Sequence, residues 1–268
     1  KKQKREKEFK KINGRTLSVS MVSLAAAAFL GSIVANYGLD KPFYFSVFFM
    51  GISLFIISTF KEPIHYKKLG KKDYWSHQIS NLLFTLKHKK VRALSIYNGF
   101  IFSLSLIGFT FFFQLYLRHI NIPISHFSYI YPTIVLFGAL VSAKAYKIER
   151  FIGEKNTFLL LPFVLALSFI FMSVVKSYWG VIFIILIECV FTLVMPINNH
   201  FINKYLATKQ RATVISIRNL FSSLVFIIIS PIIGLIGDKV SLSASLSFTG
   251  IIALIMGGVT IVLSKEIW

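Results

Sequence analysis

Residues 157–200 read TFLLLPFVLALSFIFMSVV, then Lys176, then SYWGVIFIILIECVFTLVMPINNH. Within them the only acidic residue, Lys or Arg besides Lys176 is Glu188. A bilayer core takes about 20 mostly apolar residues as a helix, and this stretch supplies two such runs back to back. Barrel strands would alternate apolar and polar residues over about ten positions, whereas these runs are apolar throughout. The stretch predicts a transmembrane helical hairpin, with spans at 157–175 and 177–200.

The same reading outward gives six further spans, at 16–36, 43–60, 93–117, 124–143, 212–236 and 241–264. The fold class expected is all-α, a polytopic membrane bundle of eight helices. Composition agrees: 55% of the chain is hydrophobic, 15% is charged, and 28 residues are Phe. So little polar surface cannot cover a water-exposed globule. Cys189, the single cysteine, lies inside a span, so a disulfide framework within the chain is excluded. The opening at Lys1, basic and without Met, reads as part of a longer protein and is too charged for a signal peptide.

Charge fixes the expected orientation. Segments 1–15, 61–92, 144–156, 201–211 and the tail hold 25 Lys and Arg, while the alternate connections hold only Lys41, Arg118, Lys176 and Lys239. Cytoplasmic loops retain Lys and Arg, so both ends of the chain are expected in the cytoplasm and the protein in the cell membrane. A formal charge of +20 would suggest nucleic acid in a soluble domain. Here it lies in short blocks between spans, so lipid is the expected partner and nucleic acid is not.

The long polar connection divides the chain. Residues 1–60 carry a basic segment and two spans, 61–92 form a cytoplasmic linker, and 93–268 form a six-helix half. Part of the linker, around Tyr74 to Leu86, is amphipathic enough to lie on the membrane surface.

Several stretches carry a family likeness. Glu6 to Arg15 (EKEFKKINGR), Gly31-Ser32 with Asn36-Tyr37-Gly38, Pro42 to Phe45 and Phe60 to Pro63 form one set. Ile197 to His200, Asn203-Lys204, Gln210 to Ser216, Pro231 to Gly234 and Gly237-Asp238 form another. In order and spacing they resemble helices five to twelve of bacterial major facilitator superfamily transporters. The resemblance implies a twelve-helix carrier whose first four helices lie upstream, working by alternating access on a small solute. It also implies a conformational latch at the loop after the fourth span, where Glu149, Arg150 and Gly153 supply acid, base and glycine. An ordinary basic cytoplasmic loop is the competing reading.

Polar groups inside the spans are candidates for chemistry because each is costly there. Glu188 lies near the middle of its span, where an ionised carboxylate costs on the order of 3 kcal/mol on insertion scales. It must be protonated, paired or facing a wet cavity, and all three suit a carrier coupled to a proton or another cation. A structural hydrogen bond to a neighbouring helix is the alternative. Arg218, roughly 10 Å past Arg211 along a helix, is placed to bind an anionic solute, to pair with Glu188, or to snorkel to the interface. Asn219 is expected on a different face. Asn98 and Gln114 are neutral amides that either read a solute or join helices. Tyr97, Tyr129 and Tyr131 either line a cavity or sit at an interface. Asn198, Asn199 and His200 are expected to close a helix on the cytoplasmic side.

The chain has no glycine-rich run ending in Gly-Lys-Ser/Thr, so no nucleotide chemistry of its own is expected. A membrane-embedded enzyme, such as a lipid-modifying transferase or an intramembrane hydrolase, would need convergent nucleophiles or metal ligands. The six His lie mostly in loops, with no His-Glu-x-x-His among them. The expectation is a transporter, not an enzyme, with no cofactor and no metal.

Overall fold

The structure is a computed structural model that describes residues 19–20, 22–35, 37–38, 40–60, 87–205 and 208–267; the side chains at 146, 195–205, 208–213 and 266–267 lie outside that description. The described residues form helices α1 (Val22–Ala35), α2 (Lys41–Ser58) and α3 (Lys89–Ile107). A π-helical turn (Gly108–Phe112) joins α3 to α4 (Phe113–His119). There follow α5 (Ile124–Ala143), α6 (Ala145–Ile152) and α7 (Glu154–Val174). The chain ends with α8 (Val181–Tyr205), α9 (Thr208–Lys239) and α10 (Leu242–Ile267). Among the described residues there is no strand.

Six of the helical stretches are long and apolar enough to cross a membrane, and two shorter apolar ones, Val22–Ala35 and Tyr178–Val194, stand where the first and sixth spans were expected. The boundary at Lys176 is a real break. Helix α7 ends at Val174 and a short 3-10 turn at Tyr178–Gly180 precedes α8. The exposed end of α7 is tied down by Tyr116 of α4, whose hydroxyl donates to the carbonyl of Val175 at 2.5 Å. One boundary expectation needs correcting. Asn198 to His200 do not close a helix, because α8 continues to Tyr205. Backbone bonds inside a helix are satisfied whatever the side chains are, so polar residues alone need not end it. The opening segment and the linker residues 61–86 fall outside the described residues.

The described residues fall into two compact units. The first contains α1, α2 and the part of α5 up to Leu136. Its α2 buries no residue, and Phe43, Phe48 and Phe55 are exposed. A helix that is apolar on every side belongs in lipid or against other apolar helices.

The second unit contains α3, α4, the rest of α5 and α6 to α10. Here α10 packs most extensively on α7, and α3 packs on α8, α9 and α10. Lipid is as apolar as these side chains, so close packing and hydrogen bonds hold the helices together rather than escape from water. Gly250 of α10 shows how close the packing is: a Cβ there would lie 2.7 Å from Ile170 Cγ1 and 3.1 Å from the Ala166 carbonyl oxygen. Tyr97 of α3 stacks on Phe158 of α7, ring centroids 3.8 Å apart. Hydroxyls within the helices mostly satisfy themselves on their own backbone, as when Ser95 donates to Val91 and Ser168 to Val164, at 2.8 and 2.7 Å. That arrangement lets Ser and Thr sit in an apolar medium without an orphan donor.

Candidate transport site

Helix α8 is anchored on two sides by aromatic and aliphatic contacts. Phe191 meets Phe102 of α3 at 5.1 Å, and Phe183 stacks with Phe171 of α7 at 5.2 Å. Ile187 reaches Gly108 in the π-helical turn, where a Cβ would lie 2.8 Å from its Cγ2. With those faces occupied, Glu188 turns to α5. It is 4% exposed. A Cβ added at Gly138 would lie 2.8 Å from Glu188 Oε1, 2.9 Å from its Cγ and 3.0 Å from Thr192 Cγ2. Glycine is what leaves room for the carboxyl beside α5 at this position.

The carboxyl has poor polar company. Its Oε2 is buried and takes no hydrogen bond. The nearby Thr192 hydroxyl is turned to its own helix, donating to the Glu188 and Cys189 carbonyls at 3.0 and 3.2 Å. No ion pair joins Glu188 to Arg218, so the pairing weighed from sequence is not formed; α3 packs on both α8 and α9. A buried carboxylate oxygen without a partner costs several kcal/mol, whereas a neutral acid in the same place costs far less. The geometry suits a group that carries a proton.

A second polar cluster joins α3 to α9. Asn98 Nδ2 donates to Ser222 Oγ at 3.0 Å, Ser222 Oγ donates to the Arg218 carbonyl at 3.1 Å, and Ser103 Oγ donates to the Ser222 carbonyl at 2.7 Å. Asn98 and Arg218, both candidates from sequence, are thus brought to one seam. Arg218 is 2% exposed, and its Nη2 lies 3.4 Å from Asn219 Oδ1. Asn219 was expected on a different face, yet a long guanidinium side chain curls to its neighbour. Burial sets the Arg218 head against protein atoms rather than open solvent. Beside the seam is a groove of about 480 Å³, lined by Phe102 and Ser103 of α3 and by Asn219, Ser222, Ser223 and Phe226 of α9. The three serines were missed in sequence because Ser in a span is usually silent; only their convergence marks them.

The other candidates lie elsewhere. Gln114 of α4 is exposed. Tyr97 is fully buried under Phe158, Tyr129 is half exposed and Tyr131 partly buried. A larger cleft of about 650 Å³ is lined by Arg118, His119, Pro231 and Asp238, and neither Glu188 nor Arg218 lines it. Where a loop was expected after α5 there is helix α6, in which Glu149 is buried and Arg150 exposed. Gly153 adopts φ +91°, closes α6 and accepts from both the amide and the hydroxyl of Thr157 at 2.9 Å.

Apolar helices with buried charged residues inside them define a multi-pass membrane protein. The chain belongs to the Major Facilitator Superfamily, whose family model matches residues 5–228. Among solved structures it is similar to the crystal structure of a bacterial homolog to the human lysosomal transporter Spinster, in an inward-facing and unoccupied conformation. That likeness has a TM-score of 0.57 at 13% identity and covers 90% of this chain and 65% of that one. At such identity it shows the fold. The chain thus spans under two thirds of the length of that transporter. None of the curated proteins matches the sequence.

Proposed function

We propose that this chain supplies the last eight helices of a twelve-helix secondary transporter that moves a small solute across the cytoplasmic membrane by alternating access. In this reading a proton gradient drives efflux, residues 93–268 form one six-helix half, and both ends of the chain are cytoplasmic. The charge bias of the loops supports the orientation, and coverage of about two thirds of a related carrier supports the helix count. Glu188 is the coupling carboxyl, Arg218 and Asn98 flank the solute path, Gln114 faces its outer end, and Glu149, Arg150 and Gly153 form a latch.

One observation carries the proposal: a carboxyl inside an apolar helix, with one oxygen shielded and unbonded. Such a group gains or loses its proton only when its surroundings change, which is how a rocking carrier couples flux to a gradient. The test is Glu188→Gln in the complete carrier in proteoliposomes. Gradient-driven flux should vanish while expression persists, and unchanged flux would remove Glu188 from the mechanism.

A further inference from the structure

The contact between Glu188 and Gly138 has a use that packing alone does not require. Gly138 faces no backbone demand: it lies inside a regular helix at an ordinary negative φ, where Ala would be the better helix former. What it provides is space. The three atoms nearest its missing Cβ are Oε1 and Cγ of Glu188 and Cγ2 of Thr192, all within 3.0 Å. Two other faces of α8 are covered by α3, the π-helical turn and α7 through Phe191, Ile187 and Phe183, while Ile182 and Leu186 stay exposed away from the carboxyl. The α5 backbone is therefore the wall that closes the carboxyl in.

We propose that Gly138 is a positioning residue that seals the Glu188 carboxyl against α5, so that the carboxyl meets water only when α5 and α8 part at this point. The inference rests on reading Glu188 as the coupling carboxyl, and it adds the second half of that device: the helix that opens and closes on it. The charged groups on neighbouring helices are few. Between residues 93 and 107 of α3 and between 156 and 174 of α7 there are none; between 214 and 237 of α9 Arg218 is the one charged residue; α6 carries Lys147, Glu149 and Arg150, and Cys189 is the adjacent titratable group. None of them makes an ion pair or side-chain hydrogen bond with Glu188. Access is thus governed by the gap between two helices.

Any methyl at 138 must push the carboxyl aside or hold the helices apart, and either breaks the seal. The experiment is carbodiimide labelling of position 188 in the complete carrier in proteoliposomes, read by mass spectrometry. Dicyclohexylcarbodiimide is apolar and reaches buried carboxyls, whereas a charged, water-soluble carbodiimide reaches only wet ones. In the wild type the apolar reagent should label position 188 faster by about tenfold or more, the ratio expected when wetting needs a local opening. In Gly138→Ala the water-soluble reagent should gain about tenfold. Gly250→Ala, a similarly tight site on α10, should leave the ratio at the wild-type value. Adding Glu188→Asp to Gly138→Ala removes a methylene from the crowded gap, and should return water-soluble labelling of position 188 toward wild type. General loosening of the bundle would not be reversed this way.

Equal labelling of the wild type by both reagents overturns the inference, and needs no variant to fold. So does an unchanged ratio in Gly138→Ala. The two readings separate cleanly. If Glu188→Gln abolishes gradient-driven flux but the ratio does not respond to Gly138→Ala, the seal fails alone. If flux survives Glu188→Gln while the ratios behave as stated, the seal stands and the coupling role fails.

Discussion

Gly138 of α5 stands directly against the side chain of Glu188 of α8, in a gap where even a methyl group would lie 2.8 Å from a carboxyl oxygen. Fifty residues separate the two in sequence. Their meeting puts the most costly side chain of the span under the one residue that leaves room for it.

The first prediction concerns what that carboxyl does when it can no longer ionise. Glu188→Gln keeps the size and removes the titration. It should reduce proton-gradient-driven flux by a hundredfold or about that, the effect of removing a positioned proton-transfer group. Solute exchange without a gradient should persist, because exchange needs no net proton movement. Parallel loss of exchange would point to a structural role instead.

Gly153 makes a backbone prediction. At φ +91° a side chain is strained, and the cost is on the order of 1–3 kcal/mol. Gly153→Ala should lower the thermal midpoint of the purified protein in detergent. It should also loosen the turn between α6 and α7, seen as faster amide exchange at Thr157, whose amide bonds to the Gly153 carbonyl. An unaltered exchange rate there would mean the turn does not depend on glycine.

Asn98→Ala removes the donor to Ser222 and leaves the seam between α3 and α9 one hydrogen bond short. Interhelical bonds of this kind contribute about 0.6 kcal/mol on average in membranes. A small drop in unfolding midpoint is expected, with Ser222→Ala giving the same drop and the double variant no more than either. Additive losses would show that the two side chains act separately.

Gly250→Ala tests the packing of α10 on α7. The added Cβ would sit 2.7 Å from Ile170 Cγ1, with the Ala166 carbonyl close behind. Overpacking of this kind costs typically about 1–3 kcal/mol. The variant should unfold at lower temperature, and pairing it with Ile170→Ala, which removes Cγ1, should cost less than the two single losses added together. No change in midpoint would mean that α10 shifts freely.

The spans were legible because the evidence for each is local. A run such as Phe158 to Val175 is apolar whatever lies beside it, and its length alone decides that it can cross a bilayer. Glu188 was legible for the same reason, since a carboxyl in such a run is anomalous without any knowledge of its neighbours. Family membership could be read from loop and cap residues in order. The neighbours could not be read. Helices that are apolar on every side give no signal of which face meets which partner, so Gly138 looked like any other small residue in a span. The same blindness hid Ser103, Ser222 and Ser223, and left open whether Arg218 meets Glu188.

Composition, run length and the side on which Lys and Arg fall thus specify a helical membrane protein and single out its one mid-span carboxylate, because lipid imposes those requirements residue by residue. Tertiary packing alone decides how the helices rotate and approach. It turns Glu188 to the bare backbone at Gly138, ties Asn98 through Ser222 to the turn that bears Arg218, and keeps the two charged groups apart. Those choices follow from the fit of surfaces contributed by distant segments, a quantity that no single stretch of the chain contains.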